Sequence, residues 1–232
     1  MSEELLEYYK KDAKNYEKRR FNRGGSLVHE VEIGILLDFL RLSAEDMVLD
    51  IGGGTGRFER AVEEQGSSIV LCDLTREMLD IAKEDVEPFL VLANVFNLPF
   101  KDCTFDKCVG LRFLFHFDDD KKIKILEEII RVTKKKGVFV FDVHNSGGLL
   151  NFMSILRKDR MNFPISPETL EKILSKLPLT RYHVHFSFFI PRGIYRHIPK
   201  QSARFLLSLD RFLPDVIKRK KCSALFFRGV CS

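Results

Sequence analysis

The chain has 232 residues, 45% of them hydrophobic and 31% charged. That balance suits one soluble α/β domain with a substantial core and excludes a disordered chain; no apolar run approaches the ~18 residues needed to span a bilayer. Thirty-eight basic against 33 acidic residues leave a net charge of +5, too small to establish a polyanionic partner.

Residues 2–20 are rich in Glu, Lys and Tyr and predict an exposed helix. This charged opening argues against a cleaved signal segment. SLVHEVEIGILLDFLRL follows with apolar residues at helical spacing and Ser26 as expected N-cap. Strands and helices then alternate. DMVLDIG predicts a strand, GRFERAVEEQG a helix closed by Gly66, SSIVLCD a second strand, and TREMLDIAKED a helix that Thr75 caps. PFLVLAN predicts a third strand and TFDKCVGLRFLFHF a fourth. DDDKKIKILEEIIRVTKKKG predicts a helix with acids first and bases last, matching the helix dipole, and GVFVFDVHN a fifth strand. Such alternation implies a parallel sheet covered on both faces.

Beyond Asn145 the pattern loosens. SGGLLNFMSILRKDRMNFP predicts an insertion with a short helix, and SPETLEKILSKLP a helix with Pro167 in its first position. RYHVHFSFFI predicts a strand, SARFLLSLDRFLPDVIKRKK a helix up to Pro214, and CSALFFRGVCS a closing strand. No linker divides the chain, so a single domain over residues 1–232 is expected. The five cysteines (Cys72, Cys103, Cys108, Cys222, Cys231) form no C-x-x-C pair. They predict reduced thiols in a cytoplasmic protein with no metal site.

The stretch VLDIGGGTGRF, Val48 to Phe58, places four glycines between the first strand and a helix. Open α/β sheets bind ligands at that end of a strand, and Gly52, Gly54 and Gly56 admit positive φ while baring backbone N–H groups. A phosphate-binding P-loop needs Lys-Ser/Thr after its last glycine, but Arg57-Phe58 stand there. A dinucleotide G-x-G-x-x-G fails as well, because position 57 is Arg57. What remains is D-x-G-x-G-x-G from Asp50 to Gly56, with Asp73 closing the second strand 23 residues after Asp50. An acid there accepts hydrogen bonds from both ribose hydroxyls of an adenosine.

In these motifs, and in LANVFNLPF and EIIRVTKKKGVFVFDV after them, the sequence resembles the S-adenosylmethionine-dependent methyltransferases of the Rossmann-like class. The resemblance covers residues 8–145 well and the remainder loosely. It implies a three-layer α/β sandwich around a mostly parallel seven-stranded sheet whose last strand is antiparallel. It also implies S-adenosyl-L-methionine as cofactor: Asp50 and the backbone of Gly52 and Gly54 at the amino-acid end, Asp73 at the ribose, and Leu74, Asn94 and Val95 around the adenine. Many relatives have Asp-Ala where Asn94-Val95 stand here. Leu111 and Arg112 fall below the sulfonium. YYKKDAKNYEKRRF resembles an N-terminal lid helix (residues 1–25), with Tyr16 as first candidate to face the cofactor and Tyr8 or Tyr9 as second.

The acceptor is less legible. His116 and His144 follow predicted strand ends, where a general base stands, but each also reads as a histidine without a role. Arg112 is either an anchor for an acidic substrate or a solvated cation. Base-methylating relatives carry Asn/Asp-Pro-Pro-aromatic after the fourth strand, where this chain has Gly110-Leu111-Arg112-Phe113. A nucleic-acid acceptor is therefore disfavoured, and the expected one is a small molecule or lipid-like compound beneath insertions 145–180 and 191–221. The rival readings are a methyltransferase for RNA or protein, a binding module without turnover, and a nicotinamide-dependent oxidoreductase.

Overall fold

A computed structural model describes residues 3–62, 65–85, 89–148, 162–210 and 212–232. Its strands are β1 (Met47–Ile51), β2 (Ser68–Asp73), β3 (Phe89–Leu92), β4 (Phe105–Gly110), β5 (Thr133–His144), β6 (Leu179–Ser187) and β7 (Ala224–Cys231). They form one sheet in the order β3-β2-β1-β4-β5-β7-β6. Neighbours are parallel except around β7, which runs against both β5 and β6. This is the expected sheet, with its single antiparallel strand last in the chain.

The described helices are α1 (Glu3–Asp12), α2 (Tyr16–Arg20), α3 (Gly25–Leu40), α4 (Arg57–Val62), α5 (Arg76–Asp85) and α6 (Asp119–Val132). After β5 come α7 (Pro167–Leu174), α8 (Arg192–Tyr195), α9 (Lys200–Asp210) and α10 (Asp215–Lys221). Successive strand residues face opposite sides of the sheet, so the core has two halves. Leu49, Cys108, Phe139 and Phe141 pack with Ile125 and Ile129 of α6 on one face. Val48, Val109 and Val140 pack with Leu36 and Leu40 of α3 and Phe58 of α4 on the other. Both faces are covered, which is why these strands read as nearly continuous apolar runs.

Several boundaries differ from expectation, each for a local reason. The N-terminal stretch is not wholly exposed: α1 and a following 3-10 turn bury Leu5 and Ala13. Helix α3 begins before Ser26, whose hydroxyl donates to the Arg23 carbonyl at 3.1 Å rather than capping. The fourth strand stops at Gly110; Arg112 turns the chain at φ 59° and residues Leu114–His116 make one 3-10 turn. Helix α6 ends at Val132, where the Thr133 hydroxyl donates to the Ile129 carbonyl at 2.6 Å. The next lysines open β5 instead of closing the helix, with Lys134 paired to Asp106 at 2.8 Å. Of the insertion helix expected in residues 146–164, residues 149–161 lie outside the described residues.

Candidate active site

A cleft opens over the C-terminal ends of β1, β2 and β4 and encloses about 860 Å³ of empty space, part of it open to solvent. These ends meet where the strand order reverses, between β1 and β4, the place where open α/β sheets hold ligands. The glycine turn is bent as required: φ is 69° at Gly52, 60° at Gly54 and 75° at Gly56. Gly52 N–H donates to the Cys72 carbonyl at 2.7 Å. A Cβ on Gly52 would stand 2.6 Å from Cδ2 of Phe113, so the ring closes over bare backbone.

Asp73 ties the turn to β2. Its Oδ2 accepts from Gly54 N–H at 3.1 Å and its Oδ1 from Thr75 N–H at 2.7 Å. Burial raises the carboxyl pKa, and these backbone donors work against that rise. The Thr75 hydroxyl and Leu74 N–H act on the same carboxylate, so the protein's own donors fix its position at the mouth of the cleft. Tyr16, Leu74, Asn94, Val95 and Leu111 line the same cleft as Gly52, Gly54 and Asp73. The Asn94 carbonyl accepts from Phe96 N–H at 3.1 Å, leaving the amide NH₂ as a donor. Both Tyr9 and Tyr16 are in this wall, whereas Tyr8 lines an outer cleft beside Arg19.

Asp50 is not in the cleft wall. Alternation along β1 brings Ile51 to the cleft and turns Asp50 away, beneath the bend. Its Oδ2 lies 2.6 Å from where a Gly53 Cβ would be, and the side chain is 2% exposed. Its buried neighbour is Glu59 of α4. Burial and that second carboxyl raise the Asp50 pKa well above the usual range, and burial pushes Glu59 up to about 7. The pair stands behind the turn and is not part of the cleft wall.

Arg112 and His116 do line the cleft, in settings the sequence does not disclose. The Arg112 fork is occupied by the protein's own Glu32, with four N–O separations of 2.8–3.1 Å, so it is not a free anchor for an acidic substrate. Glu32 is fully buried on α3; burial alone would raise its pKa, but Arg112 and Arg192 bring it down to about 2. Arg192 Nη1 bridges Glu32 and Asp142 of β5 at 2.7 Å each, and Arg112 N–H donates to Asp142 at 2.5 Å. His116 Nε2 is 2.8 Å from the Tyr9 hydroxyl.

His144 stands elsewhere, in the wall of a second cavity with Arg20, Arg112 and Arg192. Its ring stacks on Phe115 at 4.0 Å, and Nδ1 donates to Asn162 Oδ1 at 2.8 Å. Burial holds its pKa well below the usual value, so it is neutral at pH 7. The two candidate bases thus belong to different cavities, although the Phe115 ring meets both imidazoles.

Residues 49–141 match the family described as a methyltransferase domain, over the strands and the glycine turn that build this cleft. The segment is similar to methyltransferase domains. Its fold is shared with phosphoethanolamine N-methyltransferase 2 of Haemonchus contortus, described in complex with phosphomonomethylethanolamine and S-adenosylhomocysteine. That likeness has a TM-score of 0.70 and 19% identity over 98% of this chain and 58% of the other. In sequence the chain is 34% identical to an uncharacterised protein of Methanocaldococcus jannaschii over 141 residues, 61% of this chain and 52% of the relative. It is 35% identical to a malonyl-[acyl-carrier protein] O-methyltransferase of Hamiltonella defensa over 103 residues, 44% of this chain and 39% of the relative. The chain spans about half or less of the length of these curated relatives.

Within this segment, sequence reasoning passed over Arg57. Its guanidinium lies 3.5 Å from the Phe21 ring centroid, in the cleft wall, and Nη1 is buried without a partner. Burial lowers its pKa to about 10, so it is still charged at pH 7. The available signal was its place directly after the last glycine. Glu32, Asp142 and Arg192 left no comparable trace, because nothing local joins positions so far apart.

Proposed function

We propose that the protein transfers the methyl group of S-adenosyl-L-methionine to a small-molecule or lipid-like acceptor. The observation that carries this reading is the bond between Gly54 N–H and Asp73, which puts the amino-acid end and the ribose end of one cleft within a single ligand's reach. In this reading the glycine turn, whose Gly52 and Gly54 N–H groups are bonded within the protein, offers its open face to the cofactor's amino-acid tail, Asp73 serves the ribose, and Leu74, Asn94 and Val95 the adenine. The unpartnered Nη1 of Arg57 suits the cofactor's carboxylate. When bound, the cofactor supplies a methyl on a sulfonium; the acceptor's lone pair forms the new bond to carbon while the carbon–sulfur pair returns to sulfur.

The chain's own residues align the partners and exclude water, which contributes ~7–11 kcal/mol to such displacements. Helix α1 closes one side of the cleft through Tyr9, and His116 is the group positioned to accept a proton from a hydroxyl or ammonium acceptor. In this reading residues 1–232 are one domain, with 1–25 as a lid and 145–180 and 191–221 on the acceptor side. Five unpaired cysteines suit a reducing compartment such as the cytoplasm. Among the described residues no helix is long and apolar enough to cross a membrane. Calorimetric titration with S-adenosylmethionine, and separately with NAD, is the test. Saturable heat with the first and none with the second is expected; the reverse, or none with either, overturns the reading.

A further inference from the structure

The reading above leaves the second cavity without an occupant. It encloses about 610 Å³ of empty space, and four of its wall residues are arginines: Arg20, Arg112, Arg192 and Arg196. The carboxylates that balance this charge, Glu32 and Asp142, are fully buried behind the wall and not part of it. Glu32 takes the Arg112 fork, and both acids share Arg192 Nη1. That accounts for two of the four charges.

Not every remaining donor has an acceptor within the protein. Arg192 is 8% exposed, and its Nη2 is buried without a hydrogen-bond partner. Arg20 is half-buried, lies over the Tyr16 ring at 5.3 Å, and has no carboxylate partner among the described residues. Arg196 is exposed and spends Nε on His197 at 3.0 Å. A buried guanidinium N–H without an acceptor is unfavourable, and a planar fork suits an oxyanion better than any other ligand. Arg20 and Arg196 also line the outer cleft with Arg19 and His197, which gives an incoming anion a positive approach.

We propose that this second cavity binds the methyl acceptor through an oxyanion that the acceptor carries, a carboxylate or a phosphate, held by Arg192 Nη2 and Arg20. The proposal rests on the methyltransferase reading and adds the substrate class to it. Arg112 belongs to the walls of both cavities, so an acceptor anchored in the second extends past Arg112 toward the first. Neutral His144 adds no charge, so the preference for anions comes from the guanidinium groups.

The test loads the whole protein with S-adenosylhomocysteine and titrates inorganic phosphate and, separately, succinate at constant ionic strength, with neutral succinamide as control. One of the two anions binds saturably in the millimolar range, succinamide does not, and the tighter anion distinguishes phosphate from carboxylate. Arg20→Gln weakens that binding at least fivefold while changing S-adenosylhomocysteine affinity less than threefold. Arg192→Lys, which keeps a charge beside Glu32 and Asp142, weakens it similarly; if that variant does not fold, Arg20→Gln alone decides. No saturable anion binding by cofactor-loaded protein, or binding unchanged in Arg20→Gln, overturns the oxyanion site and leaves the methyltransferase reading intact. Anion binding by a protein that takes no S-adenosylhomocysteine overturns the acceptor role, and the methyltransferase reading with it.

Discussion

The two cavities that share Arg112 in their walls are built in different ways. The first is organised around local backbone: a run of consecutive residues after β1 bends at positive φ and meets one acid, Asp73, at the end of the adjacent strand, with side chains such as Tyr9, Tyr16, Leu74 and Leu111 completing the wall. The second is mostly side chains brought together from distant parts of the chain: α2, α3, the turn after β4, the end of β5, and α8 with Arg196 just beyond it. A ligand common to a whole family can be held by local geometry that many sequences reproduce. A ligand particular to one protein needs groups that only the finished fold assembles.

The comparison breaks most severely at Asp73, if the first cavity does what its shape implies. Asp73→Ala removes two acceptors for the ribose, worth about 1.5–3 kcal/mol each for bonds to a charged group. Calorimetry should register a loss of at least a hundredfold in S-adenosylmethionine affinity, with anion binding in the second cavity unchanged. Unaltered cofactor affinity would remove Asp73 from the ribose site. Glu32→Gln attacks the second cavity's foundation instead. Arg112 and Arg192 are 10% and 8% exposed at the side chain, and stripping one charge from their partner leaves a buried pair broken, at about 3–5 kcal/mol. Urea denaturation should find that loss; less than 1 kcal/mol would mean the network is not holding the wall.

The same division explains what was legible in the sequence. Strand–helix alternation, the positive-φ glycines and the spacing to Asp73 are all local, and the structure has them where the residues predict. Leu74, Asn94, Val95 and Leu111 follow from that frame and do share the cleft. Asp50 belongs to the motif but not to the cleft wall: strand alternation turns it toward Glu59. The Arg112 fork was misjudged because its partner, Glu32, is 80 residues away. The lysines after Val132 carried a helix-terminus signal, yet Thr133 and the pairing of β5 with β4 outweighed it.

A third substitution separates the turn's own energetics from anything in the second cavity. Glu59 titrates at about 7 when folded against an ordinary 4.5. Between those values the unfolded chain releases a proton that the folded protein retains, so stability falls as pH rises through that window and is level above it. The full effect is about 3 kcal/mol, from roughly 1.4 kcal/mol per pH unit. Glu59→Gln cannot ionise, so it should match wild type near pH 5 and gain on it up to pH 8. Denaturation midpoints at the two pH values measure the gain; an equal difference at both would mean that Glu59 does not hold a proton beneath the turn.

The smallest effect tests whether α1 belongs to the first cavity alone. Tyr9 reaches from α1 to His116 through one 2.8 Å hydrogen bond, and its ring also meets His116 edge-on at 5.6 Å and Tyr16 at 6.1 Å. Tyr9→Phe keeps the ring contacts and deletes only the hydroxyl, a change worth about 0.5–1.5 kcal/mol. Because Tyr9 lines the first cavity and not the second, S-adenosylmethionine binding should weaken a few-fold under the proposed function while succinate or phosphate binding stays as in wild type. A loss in both ligands would mean that α1 closes over the two cavities together, through the adjoining Tyr16 and Arg20. In that case the two cavities have separate walls that meet at Arg112 but one lid.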